Sequence, residues 1–197
     1  MQLNKEKYSV YSLILANLVT IVLAVVLSWE FSVVVWIYWF QSVIIGLFQV
    51  KKILDLKSFS VKGFKIAGGI AEENNYTKIR SAVFFLLHYG FFHFVYFLFL
   101  GRELKVESFY LILIPVGVFF VNHLFSYRQN RDEEAKKRKN IGTMMFVPYL
   151  RIIPMHLIIV FGFAFVGGAI SLTIFLILKT VSDVIMHLVE HKQKAKI

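Results

Sequence analysis

Six stretches of this sequence each run for about twenty residues with scarcely a charge, and no other feature restricts its fold as tightly. They extend from about Tyr8 to Ser28, Glu30 to Val50, Ser81 to Leu100, Ser108 to Tyr127, Phe146 to Phe165 and Ala169 to Glu190. About 20 mostly apolar residues in a helix cross the hydrocarbon core of a bilayer, so each stretch is long enough to span one. A closed β-barrel would need apolar and polar residues to alternate in segments of about ten, and the unbroken runs exclude it. The expected architecture is all-α, a polytopic integral membrane protein with six transmembrane helices. Six spans take up about 120 residues of a 197-residue chain. One membrane domain over 1–197 follows, with no room for a separate soluble domain.

The placement of cations orients the bundle. Lys5 and Lys7 precede the first span, seven Lys and Arg residues from Lys51 to Arg80 follow the second, and Arg128, Arg131 and Lys136 to Lys139 follow the fourth. Lys192, Lys194 and Lys196 end the chain. All lie on one side of a six-span chain; the other side holds only Arg102 and Lys105. By the positive-inside rule both termini are expected in the cytoplasm, in a multi-pass protein of the cell membrane. An odd number of spans would mix the two sets. The net charge of +10 therefore points to membrane orientation and anionic headgroups on the cytoplasmic side, not to nucleic acid. Lys5 and Lys7 ahead of an apolar run resemble a signal peptide, but the run is longer than an h-region of about 7 to 15 residues, and a retained signal anchor is expected. Asn75-Tyr76-Thr77 fits the glycosylation pattern but falls in an expected cytoplasmic loop.

The connection at about 51–80 mixes Phe59, Val61, Phe64 and Ile66 with lysines. It reads either as a segment lying in the headgroup region or as a flexible basic loop. A second basic loop covers about 128–145. Trp29, Trp36, Tyr38 and Trp39 lie toward the outer part of the second span, where aromatic residues anchor helices at an interface.

Few ionisable residues remain inside the spans: Arg151 in the fifth, and Lys179 and Asp183 in the sixth. A charge at a helix centre costs about 2.5 to 3.5 kcal/mol on the insertion scale, so these three should face protein or water and pair. Counted at about 1.5 Å per residue, His88 and Asp183 lie at a similar depth, roughly 10 Å from the cytoplasmic ends. His123 and Arg151 are shallower; Gln41, His156 and Lys179 are deeper. Lys179, Asp183, His187 and His191 recur at every fourth position along one helix stripe. Asp183 can pair with Lys179 or share a metal ion with His187, and the two uses compete for one carboxylate. Pro154 removes a donor beside Arg151 and His156 and is expected to kink the fifth span there. Arg151 can clasp a phosphate or carboxylate or snorkel to headgroups. Gly90, next to His88, is expected to permit close helix approach. His93 stands about 140° around the helix from His88 and reads as structural.

The segments His88-Tyr89-Gly90, Pro148-Tyr149-Leu150-Arg151 through His156, and Lys179-Thr180 through Asp183 and His187 resemble a family of small prokaryotic polytopic membrane proteins of unknown function. His187-Leu188-Val189-Glu190-His191 with Asp183 is also similar to the H-x-x-x-H and Asp elements of the adiponectin-receptor and ceramidase superfamily of membrane zinc hydrolases. The chain has no clear S-x-x-x-H element, and six expected spans where that superfamily has seven.

Three functions fit these residues. In a metal-assisted hydrolase of a lipid-like substrate, His88, His156, Asp183 and His187 would hold zinc or another divalent metal, and Arg151 and Lys179 would orient an anionic headgroup beside catalytic Asp183. In a proton-coupled or anion transporter or channel, the same ionisable groups would line the pathway, and a homo-oligomer could supply its exit. In a membrane scaffold the charges would only fasten helices.

Overall fold

The computed structural model describes residues 28–66, 69–161 and 169–194, with residues 18, 21, 22 and 24–26 before them. The first expected span, about Tyr8 to Ser28, falls largely outside the described residues. Five long apolar stretches become helical, and three of the helices are long and apolar enough to cross a membrane: α1 (Phe31–Asp55), α2 (Asn75–Glu103) and α3 (Tyr110–Lys136). A short helix α4 (Ile141–Phe146), a 3-10 turn (Val147–Arg151) and α5 (Ile152–Phe161) make up the fifth stretch, and α6 (Ala169–Lys194) the sixth.

The central element is α1, which packs against α2, α3 and α6. Its buried residues surround it from Val33 to Ile53. Helix α2 buries one face, Ser81, Phe85, Tyr89, His93, Tyr96 and Leu100, at the three- and four-residue spacing of a helix stripe. Its other face leaves Phe84, Leu87, Phe91, Phe94 and Leu98 exposed. On α3 only 6% of the most apolar window is buried. Contiguous apolar surface of this extent is foreign to a water-soluble monomer and suits a lipid environment.

Polar caps start the helices that follow the two basic loops. Asn74 accepts a hydrogen bond from the Thr77 amide (2.9 Å), and Asn140 accepts one from the Thr143 amide (3.0 Å). The loops themselves are joined. Two-residue strand β1 (Phe59–Ser60) pairs in parallel with β4 (Lys139–Asn140), while β2 (Lys65–Ile66) pairs antiparallel with β3 (Gly69–Ile70). Gly63 takes a φ of +74° in the turn after β1, a conformation glycine adopts without steric cost. Phe59 is buried, and Val61 and Phe64 pack against the core. These apolar side chains of the 51–80 connection thus meet protein, where the sequence suggested lipid or a flexible loop. Arg138 pairs with Glu73 at 2.7 Å, and Glu134 binds both Lys137 and Lys139. Burial raises the Glu134 pKa, but the two ammonium groups overcome this and bring it to about 2.

Three expectations need correction. Trp36 and Tyr38 are buried and Trp39 half-buried; the indole N–H groups of Trp36 and Trp39 donate to the carbonyls of Leu104 and His93 (3.0 and 3.1 Å). They fasten α1 to α2 because α1 is the central helix, so its aromatic side face does not reach lipid. The close approach of α1 and α2 uses Gly46, whose Cβ position would lie 2.5 Å from the Tyr89 ring, and Gly90 faces open space. The backbone irregularity comes at the 3-10 turn Val147–Arg151, one turn earlier than Pro154 implied. Pro154 is the third residue of α5, directly after that turn.

Candidate functional site

Three separated elements bring four polar side chains together in the interior. The 3-10 turn ends on Arg151, α6 presents Lys179 and Asp183 one helical turn apart, and α1 presents Tyr38. Asp183 Oδ1 accepts from Arg151 Nη1 at 3.1 Å, and its Oδ2 accepts from Lys179 Nζ at 2.7 Å. The guanidinium stands 4.6 Å from the centre of the Tyr38 ring, and Lys179 Nζ lies 6.0 Å from it. The ring's negative face adds to the attraction. Tyr38 is 1% exposed and Arg151 6%.

Among the described residues two cations share this one carboxylate, in a setting where burial makes charge expensive. Arg151 Nε and the Tyr38 hydroxyl, both buried, have no hydrogen-bond partner among the described residues. Both can donate, so each is open to an acceptor.

Behind the cluster, Tyr89 locks α2 to α1. Its hydroxyl donates to the Ser42 carbonyl (3.0 Å) and accepts from the Ser42 hydroxyl (2.7 Å). The sequence holds the signal for this face: Tyr38, Ser42, Gly46 and Gln49 recur at helical spacing along one stripe of α1. Gln49 closes the stripe by donating to the Met144 carbonyl at 2.7 Å. Sequence reasoning placed Tyr38 among interfacial anchors and did not single out Ser42, Gly46 or Gln49.

The expected metal ligands have other partners. His88 Nδ1 lies 2.7 Å from the Tyr149 hydroxyl, and His156 Nδ1 lies 3.2 Å from the Tyr96 hydroxyl. Both oxygens of Asp183 are occupied by cations. The side chains of His187 and His191 lie outside the described residues. Among the described residues no three His, Asp or Glu side chains form a group able to hold a metal ion. His93 Nδ1 bonds the Tyr89 carbonyl within its own helix (3.0 Å), and His123 likewise contacts the Phe119 carbonyl (3.3 Å). Arg151, Lys179 and Asp183 are thus the predicted site residues that meet.

No curated protein and no solved structure matches the chain, so the similarity to the adiponectin-receptor and ceramidase superfamily gains no support from them. A family model described as a family of unknown function (DUF6498) matches residues 2–197, and the chain belongs to that family.

Proposed function

We propose that this is a six-span protein of the cell membrane with both termini in the cytoplasm, and that it binds and transports a small anion through the Arg151, Lys179, Asp183 and Tyr38 cluster. The observation that carries the anion reading is a pair of buried donors, Arg151 Nε and the Tyr38 hydroxyl, that lack an acceptor among the described residues beside two cations, Arg151 and Lys179, that share Asp183. An entering carboxylate, phosphate or bicarbonate oxygen supplies such an acceptor. The planar guanidinium of Arg151 suits such oxygens. Asp183 acts as an internal competitor for the same cations, which keeps binding weak enough for release, as conduction requires.

Metal-assisted hydrolysis is the weaker reading, because a divalent cation would have to displace Arg151 and Lys179 from the two oxygens of Asp183. Support for the topology comes from the paired basic loops. The pairing of β1 with β4 and the Arg138–Glu73 contact hold the two loops at one end of the bundle, as an even number of intervening spans requires. Helix α6, at 26 residues, is long enough to cross a bilayer.

The test is thermal unfolding of the detergent-purified protein against chloride, bicarbonate, phosphate and acetate, followed by vesicle uptake of whichever anion stabilises it. The wild type should be stabilised by at least one anion, Tyr38→Phe less so, and Asp183→Asn, which removes the competitor, more so. Folded proteins that respond alike to every anion would refute the site.

A further inference from the structure

The loop-side ends of α1 and α3 border an open cleft of about 510 Å³ that shares no residue with the Arg151 cluster. Lys51 and Asp55 line it from α1; Tyr127, Arg128, Arg131 and Asp132 line it from α3. One pair of these charges is already satisfied. Asp55 accepts from Arg131 Nη2 (2.9 Å) and Nε (3.1 Å) and from the Tyr127 hydroxyl. Lys51 stands 5.9 Å from the centre of the Tyr127 ring. Arg128 is exposed and has no ion-pair partner among the described residues.

The depth of the cleft and its apolar border give it a direction. Lys51 directly follows the apolar run of α1, and Tyr127 stands two residues past Phe125 on α3. The cleft therefore sits where hydrocarbon gives way to headgroups. Val118, Val121 and Phe125, at helical spacing, form an exposed apolar track on α3, and Arg128 is the next residue of that stripe. Cations at the mouth, an aromatic wall and an apolar track ending at an arginine match an amphiphile with an anionic head. The carboxylate of Asp132 opposes a doubly charged headgroup but accepts hydroxyl groups.

We propose that this cleft binds a phospholipid with an anionic phosphodiester and a polyol headgroup, Arg128 and Lys51 taking the phosphodiester and the acyl chains lying along Val118, Val121 and Phe125. The proposal rests on the membrane reading but not on the anion site, since no residue is shared.

The test uses full-length protein reconstituted in phosphatidylcholine nanodiscs with a minor fraction of phosphatidylglycerol, and native mass spectrometry to count lipids retained after transfer to detergent. Phosphatidylglycerol should be retained over phosphatidylcholine. Lys51→Gln and Arg128→Gln should each weaken retention about fivefold, the effect of one cation at the headgroup level. Lys57→Gln, the same charge change at an exposed position of the neighbouring loop, should leave it unchanged. Equal weakening by Lys57→Gln, or equal retention of both lipids, would overturn the site. Displacement of the lipid by glycerol phosphate, which has no chains, would overturn the lipid in favour of a soluble anion. Arg128→Gln removes no side-chain hydrogen bond or ion pair among the described residues, so it decides the matter even where Lys51→Gln fails to fold.

Discussion

Gly46 and Tyr89 meet so closely that a Cβ on the glycine would stand 2.5 Å from Cε1 of the tyrosine ring. The ring has little freedom to retreat, because its hydroxyl is held by both the hydroxyl and the carbonyl of Ser42. Gly46→Ala is expected to cost about 1 to 3 kcal/mol through overpacking. Gly90→Ala, in open space on α2, should be neutral or slightly stabilising through helix propensity. Comparing the unfolding midpoints of the two variants in one detergent checks this; equal midpoints would mean that the contact is not tight in solution.

The buried charges should respond as a group of three. Asp183→Leu removes the carboxylate that Arg151 and Lys179 share and should cost about 3 to 5 kcal/mol. Adding Lys179→Met does not repair it, since Arg151 remains buried and unpaired. Only the triple variant, with Arg151→Met as well, should recover most of the loss, at the expense of any anion response. Full recovery in the double variant would show that Arg151 finds another partner.

How far the sequence reaches is clear from these residues. The order and apolar centres of α1, α2 and α3 follow from apolar runs, and Lys179 with Asp183 follows from their spacing, because a helix turn makes neighbours of residues four apart. Arg151 joins them from a position distant in sequence, through the packing of the 3-10 turn against α6, and no local pattern encodes that meeting. Tyr38 reads as an interfacial anchor in the sequence for a related reason: a tyrosine toward the outer part of a span has the same local pattern whether it anchors at an interface or serves the interior, and only the central position of α1 decides. Helix α3 runs nine residues past its expected end at Tyr127 to Lys136, because Arg, Glu, Ala and Lys are good helix formers in water as well as in lipid.

Acid should loosen the loop side of the bundle at Glu134. Its carboxyl has a lower pKa folded, about 2, than the ordinary value of 4.5, so the folded state favours the ionised form. The resulting stability is fully present above about pH 4.5 and is lost as pH falls toward about 2. Its size is roughly 2 to 3 kcal/mol, allowing for partial exposure of the side chain. Unfolding midpoints of wild type and Glu134→Gln should converge across this window; a constant gap between them would contradict the assignment.

The absence of cysteine from the sequence makes topology directly measurable. Single Lys57→Cys and Lys136→Cys variants should react with a membrane-impermeant maleimide only from the cytoplasmic face. Lys105→Cys should react only from the outer face. Labelling of all three from one face would exclude the six-span arrangement.

The parallel pairing of Phe59 with Lys139 and Ser60 with Asn140 has a mechanical consequence. It ties the segment leaving α1 to the segment entering α4, so the helices between them are pinned at one end like the legs of a pair of callipers. Any rocking that opens the interior must then pivot at the pinned end and be widest at the opposite tips, near the connection between α2 and α3.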